Sequence, residues 1–166
     1  MEGDITVRNR VRVGHRTLVA AVAVLSGLTV GGCDASQPPT GTAPKADVAR
    51  WSHQVVGICD AAGIQQRALL AADRAKSDPA STMADVAQLY TVASTAVSKV
   101  TQPADAKVNR FVQRLSTVAQ AEAVMARAMH AGSSAAQAQS ARAARTSFAE
   151  AAAALNAKSC ADWANQ

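Results

Sequence analysis

From about residue 46 onward, apolar residues recur every three or four positions, which is the spacing of one face of an α-helix. Breaks in this pattern, rich in Pro, Gly, Ser and Asp, fall at 77–79, 101–103 and 132–134. The sequence lacks the alternating β-branched runs and the Asn-Gly or Asp-Gly turns that indicate strands. The pattern therefore predicts four helices, which span about 46–76, 79–100, 103–130 and 134–157.

Each predicted helix has one apolar face, and alanine supplies many of its positions. The residues predicted to face the core are Trp51, Val55, Ile58, Ala62 and Leu69 in the first helix, Val86, Leu89, Ala93, Val97 and Val100 in the second, Val108, Phe111, Leu115, Val118, Met125 and Met129 in the third, and Ala141, Ala144, Phe148, Ala151 and Leu155 in the fourth.

The breaks contain residues that begin and end helices. Asp78 is predicted to cap the second helix, with Pro79 at its first position, and Pro103 is predicted to open the third helix in the same way. Gly132 suits the end of the third helix, and Ser133 or Ser134 suits the cap of the fourth.

Short connections make consecutive helices antiparallel neighbours, so the sequence predicts an all-α fold, an antiparallel four-helix bundle with up-down-up-down topology. In this topology the end of the fourth helix returns beside the first half of the first helix. Cys160 would then approach Cys59, and Trp51 and Trp163 would lie near one end of the bundle. The alternative is three long helices with a detached first segment.

The first 32 residues have a different pattern. Four arginines between Arg8 and Arg16 precede an apolar run at 17–30, and small residues lead to Cys33. This order of a basic, an apolar and a small-residue segment is typical of a secretory signal. The run of about 14 residues is shorter than the ~20 that a membrane-spanning helix needs, so a cleaved signal is the favoured interpretation. The acidic residues Glu2 and Asp4 leave open a later translation start, for example at Val7.

The residues around the end of this signal, Val30-Gly31-Gly32-Cys33, resemble a bacterial lipobox. The resemblance implies that the Cys33 thiol receives a diacylglycerol and that a peptidase cuts before it, so that 1–32 is a signal peptide. Two or three acyl chains hold a protein firmly on a membrane, whereas one binds marginally. The alternative is an ordinary signal peptide with a chance cysteine near its end.

The segment 33–45 is rich in Pro and Thr and is predicted to be a flexible linker, followed by a helical domain at 46–166. Residues 1–32 hold four of the 17 basic and two of the 12 acidic residues, so the remainder carries a formal charge of +3. A charge this small gives no reason to expect nucleic acid as a partner.

Cys59 and Cys160 remain once Cys33 is assigned to lipid. In an oxidising compartment they are predicted to form a disulfide, with free thiols or an intermolecular bridge as alternatives. The bond would close a loop of about 100 residues and stabilise the fold by roughly 4–5 kcal/mol in the chain-entropy model. Such a bond matters in a domain whose alanine side chains bury little surface.

The leader, the linker and the Ala-rich domain resemble small lipoproteins of high-GC actinobacteria, including mycobacteria. Within the domain, the fragments 51–59 (Trp to Cys) and 155–160 (Leu to Cys) carry the likeness. The resemblance implies a lipid-anchored protein on the outer face of the plasma membrane, and it implies no particular reaction.

The sequence contains no motif for catalysis, for a cofactor or for a metal. The histidines, His15, His53 and His130, have no metal-ligand spacing. The basic residues of the third and fourth helices, Lys107, Arg110, Arg114, Arg142 and Arg145, are predicted to lie on solvated faces, with a functional basic patch as the alternative. We therefore predict a protein that is not an enzyme and holds no cofactor.

Glu122 is the one charged residue on the inner stripe of the third helix. It is expected at the edge of that stripe with its carboxylate in water; the sharper alternative pairs it with an arginine of a neighbouring helix or with a ligand. Met125 and Met129, one turn apart, are expected in the core, although methionines also line adaptable pockets.

Two functions follow from these features. The leading hypothesis is a membrane-anchored, non-enzymatic interaction or assembly module of the cell envelope. The alternative is an extracytoplasmic binding protein for a small or apolar ligand, with Glu122, Met125 and Met129 as candidates for ligand contact.

Overall fold

The computed structural model describes residues 43–76 and 78–166, and within these ranges it contains helices and no strand. The all-α class predicted from the sequence is therefore confirmed for this part of the chain. The predicted signal, lipobox and anchor cysteine (Val30, Gly31, Gly32 and Cys33) lie outside the described residues. The helices are α1 (Ala43–Lys76), α2 (Pro79–Lys99), α3 (Ala106–His130), α4 (Ala135–Ala153) and α5 (Lys158–Ala164).

Three helix boundaries differ clearly from the prediction: the start of α1, the end of α4 and the start of α3. α1 begins at Ala43, inside the segment predicted as linker. Its second residue is Pro44, and proline is tolerated in a first turn, where its missing N–H has no intrahelical partner. The fourth helix was predicted to continue to about 157, which is wrong, because α4 ends at Ala153. There the chain turns through Asn156, whose φ is +56°, and asparagine adopts this left-handed conformation more readily than most residues.

The caps explain where α2 and α3 begin. Asp78 caps α2 as predicted, because its carboxylate accepts a hydrogen bond from the Ser81 N–H at 3.2 Å. α3 does not open at Pro103, which corrects the prediction. The carboxylate of Asp105 accepts from the N–H groups of Lys107 (2.7 Å) and Val108 (3.2 Å) and so sets the start of α3 at Ala106.

The connection between α3 and α4 follows the prediction more closely. Gly132 comes just after α3 with a φ of +73°, the left-handed conformation that ends many helices. Ser134 occupies the N-cap position of α4, but its side chain makes no capping hydrogen bond.

The long helices pack in chain order, α1 on α2, α2 on α3 and α3 on α4, and α5 packs against both α1 and α4. The residues predicted to face the core are buried or half-buried. Among the described residues, each helix contributes one aromatic side chain to a continuous series of ring contacts. Centroid distances are 5.4 Å for Trp51–Phe111, 5.0 Å for Phe111–Phe148, 6.1 Å for Phe148–Trp163 and 4.3 Å for Tyr90–Trp163.

A disulfide joins α5 to α1. It links Cys59 to Cys160, whose Cα atoms are 4.9 Å apart, and both residues are buried. This agrees with the pairing predicted from the sequence, although Cys160 lies on α5 and not after a continuous fourth helix. The Ser52 hydroxyl adds a second connection by donating to the Leu155 carbonyl at 3.2 Å.

None of the five helices combines the length and the apolar character needed to cross a bilayer; this finding covers the described residues alone.

Candidate functional site

A cleft of about 550 Å³ opens where α5 ends. α5, which has seven residues, packs against both α1 and α4. Beyond it, the cleft is bounded by the end of α1, the start of α2, the second half of α3 and the first two thirds of α4. Its lining residues are Leu70, Asp73, Pro79, Thr82, Met83, Met125, Met129, Ala138, Arg142, Arg145, Thr146, Ala164, Asn165 and Gln166.

Methionine is concentrated in this cleft. Met83, Met125 and Met129 are the methionines of the described residues, and all of them line it. Met125 is also buried in the core, while Met83 and Met129 are half-buried. Unbranched thioether side chains can adapt their shape to an apolar partner. A ligand contact by Met125 or Met129 stays a prediction, and the cleft is where such a contact would occur.

Behind the cleft lies a buried ion pair between α3 and α4. Glu122 is fully buried, and its Oε1 lies 2.8 Å from Nε of Arg145, whose side chain is 20% exposed. The expectation that Glu122 points its carboxylate to water from the stripe's edge is wrong, and the alternative of an arginine partner is confirmed. The expectation of a solvated Arg145 is also wrong, because the guanidinium turns inward to the carboxylate.

The polar atoms of this pair are poorly satisfied. The Nε–H of Arg145 is not aligned with Glu122 Oε1, so the contact is an ion pair without a hydrogen bond. Neither oxygen of Glu122 has a hydrogen-bond partner among the described residues. Burial raises the pKa of Glu122, and the positive charge of Arg145 lowers it by less, so the net shift is upward.

Tyr90 of α2 adds a third unsatisfied group. Its hydroxyl is buried and finds no hydrogen-bond partner within the described part of the chain. Burial raises its pKa, Arg145 lowers it, and Glu122 raises it, so the phenol stays protonated. Buried polar groups without partners are uncommon in native proteins, and each calls for an explanation such as an ordered water or a ligand.

A satisfied polar contact lies next to Tyr90. Its ring stacks on Trp163, whose indole Nε1–H donates to Oε1 of the buried Gln66 at 3.0 Å. Gln66 and Tyr90 were not predicted to belong to a buried polar cluster. A signal was present for Gln66, which falls four residues after Ala62 and therefore on the apolar face of the first helix.

Two other depressions lie near the opposite end of the described domain. One, of about 690 Å³, includes His53, Asp105 and Lys107 in its lining. The other, of about 670 Å³, includes Trp51 and Lys99. Across residues 43–76 and 78–166, no three His, Cys, Asp or Glu side chains are grouped so as to hold a metal ion.

Comparison with known proteins yields no matching family model, no similar curated protein and no similar solved structure. The candidate site is therefore defined by its own geometry: an open cleft with methionines in its lining, two guanidinium groups on α4, and unsatisfied polar atoms buried behind one of them.

Proposed function

We propose that this chain is a lipoprotein, held on the outer face of the plasma membrane by acyl chains on Cys33. Its helical domain acts without catalysis as an interaction or assembly module of the cell envelope. The observation that carries the proposal is the Cys59–Cys160 disulfide. Disulfides persist in oxidising compartments and are rare in the cytosol, so the bond supports the extracytoplasmic location that the leader predicts.

The proposed architecture is an antiparallel four-helix bundle with up-down-up-down topology, to which α5 is added. Contacts between opposite ends of α1 and α2 support the antiparallel order of these two helices. The Thr82 hydroxyl at the start of α2 donates to Asp73 near the end of α1 at 2.8 Å. Near the other end of α1, Arg50 shares a depression with Lys99, which closes α2.

Mass spectrometry of the protein from its native host tests the anchor. The expected species begins at Cys33, carries acyl chains on that residue, and has Cys59 and Cys160 oxidised. Cys33→Ser should abolish acylation and leave the signal uncleaved. The double variant Cys59→Ala/Cys160→Ala is the matched control, because it removes two thiols but should keep the acyl mass. Intact protein in the cytosol with an unmodified Cys33 would overturn the proposal.

Cross-linking on intact cells tests the interaction module. Surface-restricted cross-linking followed by purification should recover a reproducible envelope protein with the wild-type chain. The Cys33→Ser variant, which lacks the proposed tether, should recover less of the same protein. If cross-linking of wild-type cells reproducibly recovers no envelope protein, the proposal of an interaction module is wrong, even if Cys33 carries acyl chains.

A second candidate function is the binding of a small amphipathic ligand by the domain. The specific observation that favours it is the convergence of Met83, Met125 and Met129 on one cleft, with the unsatisfied atoms of Glu122 and Tyr90 buried nearby. The volume of the cleft, about 550 Å³, lies in the range of small-molecule sites, and its lining combines apolar and polar side chains.

A further inference from the structure

We infer that the cleft at the end of α5 binds a small amphipathic carboxylate, with its apolar body on the methionines and its carboxylate on Arg142 and Arg145. This inference rests on the second candidate function and names the class of its ligand.

The cationic side of the cleft is a pair of arginines on one face of α4. Arg142 and Arg145 are three residues apart, so their side chains neighbour each other on the helix surface, and both line the cleft. Arg142 is exposed and makes no ion pair within the described residues. A guanidinium presents a planar fork of N–H donors that fits a carboxylate or a phosphate, so an unpaired arginine beside an apolar surface favours an anionic head group, of which a carboxylate is the smaller.

Arg145 connects the cleft to the buried pair. Its Nε contacts Glu122 at 2.8 Å, and the side chain is still 20% exposed where it lines the cleft. The contact with Glu122 restricts the position of the guanidinium. Its terminal nitrogens make no hydrogen bond to the described protein and are not among its enclosed unsatisfied atoms. They are therefore available to a ligand in the cleft.

The cleft also contains one acidic side chain, Asp73 on α1. A cationic head group would have to bind there. That carboxylate already accepts a hydrogen bond from Thr82, whereas Arg142 has no acidic partner in the described domain. The unmet charge lies on the α4 side, and the structure therefore favours an anionic head group over a cationic one.

The apolar side of the cleft fits a short hydrocarbon body. Leu70, Met83 and Met129 come from α1, α2 and α3, and their side chains are half-buried. The volume of about 550 Å³ lies within the range of roughly 300–1,000 Å³ found for small-molecule pockets. A molecule that is apolar along most of its length and anionic at one end would contact both sides of the cleft.

Methyl NMR of methionine-labelled protein tests the inference directly, since Met83, Met125 and Met129 all report from the cleft. The protein is purified in the form that its host produces. Acylated protein is placed in phosphatidylcholine nanodiscs, and protein without acyl chains is studied in buffer. The probes are hexanoate, hexanol and hexylammonium, which share a hydrocarbon chain and differ in head-group charge. Hexanoate should shift the three methyl signals saturably and bind about tenfold more tightly than hexanol, because a charge-assisted hydrogen bond is added.

Arg142→Gln should weaken hexanoate binding about tenfold and leave hexanol binding unchanged. Arg114→Gln is the matched control. It replaces an exposed arginine on α3 and should leave the binding of both hexanoate and hexanol unchanged. Arg145→Gln should also weaken hexanoate binding, and its thermal unfolding is recorded to separate lost binding from lost folding.

Three outcomes overturn parts of this inference in different ways. Hexanol or hexylammonium binding as tightly as hexanoate would overturn the carboxylate class and leave ligand binding in place. Hexanoate selectivity that survives Arg142→Gln and Arg145→Gln would overturn the assigned arginines. No saturable shift with any probe would overturn both the ligand class and the second candidate function.

Discussion

Among the residues that the structure describes, Glu122 has the environment least suited to its charge. It is fully buried beside Arg145, and neither carboxylate oxygen receives a hydrogen bond. Because burial raises the pKa of Glu122 in the folded state, the folded protein binds this proton more tightly than the unfolded chain does. The contribution of Glu122 to the free energy of unfolding is therefore largest below its unfolded pKa, about 4.3, and is lost as the pH rises through the folded value.

Urea unfolding at a series of pH values measures this effect. We expect the free energy of unfolding of the wild type, relative to Glu122→Gln, to decrease as the pH rises from about 4 to 8. Glu150→Gln on α4, where the side chain is exposed, is the matched control and should follow the wild-type profile. A wild-type minus Glu122→Gln difference that is independent of pH would contradict the expectation.

Removing one partner of the buried pair should destabilise the domain more than removing both. Arg145→Leu leaves a buried carboxylate without its ion-pair partner and should lower the free energy of unfolding by about 3 kcal/mol. The double variant Glu122→Leu/Arg145→Leu should recover most of that loss, since apolar side chains of similar volume can replace a buried pair. Equilibrium unfolding of both variants at pH 7 checks this, and a double variant less stable than Arg145→Leu would count against it.

At the scale of helices, the cap of α3 is a local feature with a measurable effect. Asp105→Ala removes two side-chain hydrogen bonds to N–H groups and should lower stability by about 1 kcal/mol. Ser134→Ala is a matched control at the N-cap of α4, where the side chain makes no capping bond, and should change stability by less than about 0.5 kcal/mol. Equal effects of the two substitutions in thermal unfolding would rule out this role for Asp105.

The disulfide determines how firmly α5 is held. It spans 101 residues, a loop for which the chain-entropy model gives about 4–5 kcal/mol. We expect Cys59→Ala/Cys160→Ala to unfold at a markedly lower temperature than the wild type. A reducing agent should lower the wild-type midpoint toward that of the variant and leave the variant unchanged. A wild-type midpoint insensitive to complete reduction would contradict the stabilising role.

The four long helices were predictable because each repeats apolar residues at helical spacing over five or more turns. The start of α3 was missed because Pro103 gave a stronger signal than Asp105, although an aspartate carboxylate can bond two free N–H groups. The split between α4 and α5 was missed because the alanines at 151–154 all favour helix and only Asn156 marks the turn.

The candidate site was predictable only in part, for a different physical reason. Periodicity placed Glu122, Met125 and Met129 on one stripe of the third helix. It could not reveal that Arg142 and Arg145 lie across from them, because partner choice between helices depends on how far each is rotated about its axis. The cleft adjoins the end of α5, and the separation of α5 from α4 was not predicted.

At the scale of the whole molecule, the described helices share one core through the ring contacts that connect all five. We expect them to unfold in a single cooperative transition, because no group of helices has aromatic packing of its own. Tryptophan fluorescence, reporting on Trp51 and Trp163, and far-UV circular dichroism should give coincident midpoints in urea. Separate midpoints would show that part of the domain, such as α5, unfolds independently.

The single aromatic ring on each helix has a consequence for how this alanine-rich chain selects one arrangement. An alanine surface looks nearly the same after a shift of one helical turn, so sliding one helix along another would bury a similar area. A bulky ring does not tolerate that displacement, because its neighbours leave space for it at one height only. The rings therefore fix the axial alignment of the helices. Relocating the ring of Phe111 or Phe148 to a position one helical turn away should lower the stability of the fold more than many substitutions of surface alanines.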